Sequence, residues 1–185
     1  MVACDPLSPM SWMCAGVPHW FMGQAALAIP DLDRALDIDP QNLPVQWCMG
    51  YTYALVGRLA DASRHGTILA GIGPDSPYTR QLLGLIDGLA GRSAEARARV
   101  AAIDVAPLDA HTRFHLAESF IAAGDHDRGL DLLEAATPGF HPYAFMAEHN
   151  RLLDPVRGTS RFATILATAK QHADAFDAGE RSGGP

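Results

Sequence analysis

The chain has 185 residues, 48% of them hydrophobic and 19% charged, with a formal net charge of −7. That composition excludes a chain disordered throughout, and with no basic stripe to neutralise phosphates it argues against non-specific nucleic-acid binding. The three cysteines, Cys4, Cys14 and Cys48, form no CxxC pair, and their odd number points to a reducing, cytoplasmic setting rather than a disulfide framework.

The N-terminal stretch is interrupted by Asp5, Pro6, Pro9 and Pro18, so it lacks the continuous apolar core of a signal peptide. No run approaches the ~18 unbroken apolar residues of a membrane span. Residues 1–8 carry an Asp5-Pro6 step that recurs as Asp39-Pro40, and they read as the tail of an earlier unit. Helices are then predicted from Pro9 to Met22, Pro44 to Val56, Tyr78 to Ala90 and Ala110 to Ala123. Each is followed by a glycine suited to a left-handed helix end, namely Gly23, Gly57, Gly91 and Gly124. A second helix follows each glycine, as in "RLADASRHGTILAG" and "RSAEARARVAAI".

Those glycines are separated by 34, 34 and 33 residues. Seven residues earlier stand Gly16, Gly50, Gly84 and Ala117; five residues later stand Ala28, Ala62, Ala96 and Gly129. Pro6, Pro40, Pro74 and Pro107 keep the same period. Several ladders of small or helix-ending residues in phase predict a repeat in which two helices pack closely and stacking buries their apolar faces. Pro18 and Pro30 fall inside helical surroundings, where each would kink the chain. They either shape a binding surface or mark a loosened terminal repeat.

After Pro138 the period fails. "PYAFMAEHNRLLDP" reads as another helix, and the segment after it as a turn and a final helix. Asp154 or Ser160 could cap that helix, with Pro155 at its first position. Residues 139–177 are thus expected to be capping helices and 178–185 a mobile tail.

The units resemble tetratricopeptide repeats. The first carries Trp12, Gly16, Gly23, Ala28, Ala35 and Pro40. The second carries Met49, Gly50, Tyr53, Gly57, Leu59, Ala62 and Pro74. Leu83, Gly84, Gly91 and Ala96 continue the pattern, as do Leu116, Ala117, Phe120 and Gly124, although Gly129 replaces the usual alanine. The resemblance covers residues 9–138 and implies an all-α, right-handed solenoid of antiparallel helix pairs that serves as a protein-interaction scaffold. It also implies a concave groove lined by the first helices. The groove side chains would be Met13, Val17, Trp20, Trp47, Tyr51 and Ala54, then Gln81, Leu85, Gly88, Phe114, Glu118 and Ile121. That set holds no Lys or Arg, which disfavours gripping a peptide carboxylate and favours an apolar or mixed peptide or helix. The competing reading is that Trp47, Tyr51 and Phe114 pack between neighbouring units. Asp154, Pro155, Arg157, Arg161 and Phe162 resemble the closing segment of such arrays in bacterial regulators, cyclases or kinases. The alternative function is therefore a sensory or regulatory module of a larger protein, with a fused effector as partner. The apolar N-terminal edge allows self-association.

Other chemistry has little support. His111, His115 and Glu118 share a helical face and could be two imidazoles and a carboxylate for zinc, but there is no HExxH pattern, and no metal or cofactor is assigned. Cys14 and Cys48 sit one period apart, with His19 a nominal base, yet nothing suggests a lowered thiol pKa, and no catalytic residue is assigned. "GIGPDSP" lacks the lysine of a phosphate loop. Arg92, Arg97 and Arg99 read as a solvated face, with Glu95 and Arg99 paired. No nucleic-acid or membrane partner is expected.

Overall fold

A computed structural model describes residues 5–182, with side chains through residue 176. Cys4 lies outside them, as does the first half (residues 1–4) of the stretch read as an earlier unit's tail. Among the described residues there is no strand. The helices are α1 (Pro9–Gly16), α2 (Pro18–Phe21), α3 (Ala28–Ile38), α4 (Leu43–Leu55), α5 (Leu59–Ile72), α6 (Pro77–Leu89), α7 (Ser93–Ala101), α8 (Ala110–Ala122), α9 (His126–Ala136) and α10 (Ser160–Ser182).

The four periodic glycines end four helices in the same way. Gly23, Gly57, Gly91 and Gly124 have φ of 72°, 77°, 78° and 79°. The amide after each reaches back five residues: Gln24 to His19, Arg58 to Tyr53, Arg92 to Asp87 and Asp125 to Phe120, at 2.8 to 2.9 Å. This is the Schellman closure, and a side chain in that backbone region costs roughly 1–2 kcal/mol. Helix starts are equally local. Asn42 Oδ1 accepts from the Val45 amide at 3.2 Å ahead of α4, and Asp109 Oδ1 from the Thr112 amide at 2.7 Å ahead of α8.

The short turns make α4/α5, α6/α7 and α8/α9 antiparallel pairs, and α4, α6 and α8 lie side by side along the inner face. Small residues set the spacing. A methyl at Gly88 would stand 2.6 Å from the Ala122 carbonyl carbon, so α6 meets α8 almost backbone to backbone. Gly84 is closed over by Val100, and Gly129 by Ile121.

The first unit is broken. Val17 separates α1 from α2, and Pro18 opens α2. Pro30 is the third residue of α3, in the turn whose amides have no intrahelical acceptor, so it removes no bond and makes no kink. Buried Leu32 and Ala35 face α1 and α4, while Asp33, Arg34 and Asp37 point outward, so the outer side of α3 is charged. Leu7, Met10, Met22 and Leu27 are the exposed large apolar residues of this end among the described residues.

Residues 139–157 depart from the expected regular helix. They form a π-helical turn at Phe145–His149 and a 3-10 turn at Arg151–Leu153. The reason is Arg157: its guanidinium donates to the carbonyls of Met146, Ala147 and Asn150 at 3.0, 2.5 and 2.9 Å, in place of amides further along a helix. The cap of α10 is also different. Thr159 Oγ1 accepts from the Phe162 amide at 3.2 Å, while Asp154 pairs with Arg157 at 3.0 Å, so neither Asp154 nor Ser160 serves as the cap. α10 buries Phe162, Ile165 and Ala169, and Arg161 ties it to Asp131 and Glu134 of α9. It continues to Ser182, through the first five residues of the stretch read as a tail; 183–185 lie outside the described residues.

Candidate functional site

A hydrogen-bond ladder runs along the inner face at the repeat period. Trp47 Nε1 on α4 donates to Gln81 Oε1 on α6 at 2.5 Å. Gln81 Nε2 donates onward to the His115 carbonyl and to Ser119 Oγ on α8, at 2.9 and 2.7 Å. Each rung reuses the same face of the next first helix, so the ladder follows from the 34-residue spacing. Trp20 on α2 enters from the other side, its Nε1 donating to Thr52 Oγ1 at 2.9 Å.

The ladder ends at a carboxylate. Glu118, fully buried on α8, accepts from the Tyr51 hydroxyl at 2.7 Å and from Asn150 Nδ2 at 2.5 Å, both at Oε1. Its Oε2 lies 2.8 Å from His115 Nδ1, and His115 Nε2 lies 3.2 Å from His111 Nε2. Three donor groups around one carboxyl is the pattern of an acceptor-only carboxylate. Tyr51 is held well above the usual phenol range, first by burial and then by the Glu118 charge and hydrogen bond. His111 is held down to about 4 by burial and by neighbouring His115. Trp47 and Tyr51 stack at 5.2 Å, and Tyr51 meets His115 edge-on at 4.6 Å.

The sequence-derived groove residues do come together on this face, mostly as interior. Trp20, Trp47, Tyr51, Ala54, Gln81, Leu85, Phe114, Glu118 and Ile121 are buried. Met13, Val17 and Gly88 are half-buried. The chain's own closing segment covers much of the face. Phe145 packs 5.4 Å from Phe21 and 6.3 Å from Phe114, and Phe140 lies 5.2 Å from Phe114. Asn150, Phe140 and Phe145 were not legible as site residues, because they lie beyond the last periodic position. The polar spacing of "EHNR" was the one available signal.

What stays open is a cleft between α1 and α4, about 310 Å³ in volume. Met13, Cys14, Val17, Pro18, Trp20, Trp47 and Cys48 line it, with the His111 imidazole at one wall. Both cysteines are free, and burial pushes the Cys48 thiol up to about 12, far from a thiolate at neutral pH. A second, more polar recess of about 380 Å³ lies by the first turn, between Gln24, Leu27, Leu55 and His149.

His111, His115 and Glu118 form a hydrogen-bonded chain in which Glu118 takes the far nitrogen of His115. Among the described residues no group of three or more His, Cys, Asp or Glu converges on a point where a metal ion could sit. The arginines differ from their expected pairing: Arg92 and Arg99 both bind Asp87, at 2.6 and 2.7 Å, which draws Arg99 away from Glu95. No helix among the described residues is long and apolar enough to cross a membrane.

No family model matches the chain, and no curated protein matches it. Solved structures that are similar in outline include the following two. One, described as a MamA RS-1 ArsTM double mutant, has a TM-score of 0.47 at 12% identity, over 92% of this chain and 97% of that one. The other, a crystal structure of MamA, has a TM-score of 0.45 at 18% identity, over 88% and 96%. On its own turns and helix pairing, the chain is an all-α stack of tetratricopeptide-like helix pairs.

Proposed function

We propose that the chain is a non-catalytic protein-interaction scaffold, which seats an apolar or mixed peptide or helix of a partner protein at the mouth of its inner face. Residues 9–138 supply four repeat units in this reading, and 139–177 close the array. The observation that carries it is the cleft between α1 and α4, lined by Met13, Val17, Trp20 and Trp47 with no Lys or Arg. Met13 and Val17 form the rim that a partner touches. Trp20 and Trp47 form the floor, held in place by Thr52 and Gln81. An anchor side chain that removes ~100 Å² of apolar surface from water there contributes roughly 2.5 kcal/mol. The deeper residues Tyr51, Gln81, Leu85, Phe114, Glu118 and Ile121 shape the floor and do not meet the partner directly.

The test is selection from a displayed random-peptide library on the wild-type chain and on Val17→Asp, with helicity checked by circular dichroism. Peptides with apolar anchors should be enriched on the wild type and bind Val17→Asp at least about tenfold more weakly, since a buried carboxylate in that rim lacks a partner. Equal recovery on both chains would rule the cleft out as the docking site.

A further inference from the structure

We draw no further inference here: the strongest candidate, the recess of about 380 Å³ by the first turn between Gln24, Leu27, Leu55 and His149, rests on an exposed imidazole and a helix start alone, and nothing in the structure shows what fills it.

Discussion

The Tyr51 hydroxyl meets Glu118 Oε1 at 2.7 Å across 67 residues of chain, and neither residue is exposed to solvent. The contact joins the second unit to the fourth without passing through the third. Tyr51→Phe keeps the ring stacked on Trp47 and removes one of three donors from a buried carboxylate. It should cost about 1–3 kcal/mol in urea unfolding, with an unchanged m-value. A variant as stable as wild type would mean that the carboxylate is satisfied without Tyr51.

Asn150 supplies a second donor and also holds the closing segment down, since its Oδ1 accepts from the Leu152 amide at 3.0 Å. Asn150→Leu should be destabilising by about 1–3 kcal/mol. It should also raise hydrogen exchange across residues 140–153 before the rest of the chain responds. Uniform exchange in the variant would show that the segment is not held by this side chain.

Two glycines with nearly the same backbone separate strain from contact. Gly57 and Gly91 have φ of 77° and 78°, but a methyl at Gly57 would stand 2.7 Å from Arg151 Nη1, while nothing lies within 4 Å at Gly91. Gly91→Ala should therefore cost the left-handed penalty alone, about 1–2 kcal/mol. Gly57→Ala should cost that and loosen Arg151 as well. Thermal melts of both variants, each with and without Arg151→Ala, check this: the extra loss at Gly57 should vanish when Arg151 is shortened.

Acid should weaken the fold through His111. Its folded-state pKa of about 4 lies below the ordinary 6.5, so the unfolded chain binds the proton more readily between those values. The stability is fully present above pH 6.5 and is lost as pH falls to about 4. His65, lowered chiefly by burial, acts with the same sign. The groups that face His111 are His115, which adds to the effect, and Asp109, which opposes it. The melting temperature should fall across this window in wild type and fall less in His111→Phe. Parallel profiles would remove His111 from the account.

The turns and the bounds of the first helices were legible because they depend on local chemistry. Gly57 must follow Val56 wherever that helix ends, and α4, α6 and α8 begin and end within one residue of the spans predicted from spacing. The lining of the inner face was legible as a set for the same reason, since Trp47, Gln81 and the start of α8 recur at one period. Its burial was not. Whether Phe114 faces solvent or Phe145 depends on where a non-periodic segment folds back, and no spacing rule encodes that return. Glu118 was visible as a carboxylate one to two turns from His115 and His111, but its partners Tyr51 and Asn150 are remote in sequence. The irregular turns at 145–153 follow from Arg157, a residue that helix propensity reads only as helix-friendly.

The return of the closing segment has a consequence for how such a molecule can vary. In an open array each module touches only its neighbours, so modules can be gained or lost one at a time. Here His149 abuts the bend at Gly23 and Arg151 the bend at Gly57, while Asn150 grips α8. Inserting or deleting one module would carry those three landing points apart. The clasp would tie the closing segment to one number of modules, and the chain is expected to melt as one closed body instead of fraying from a free end.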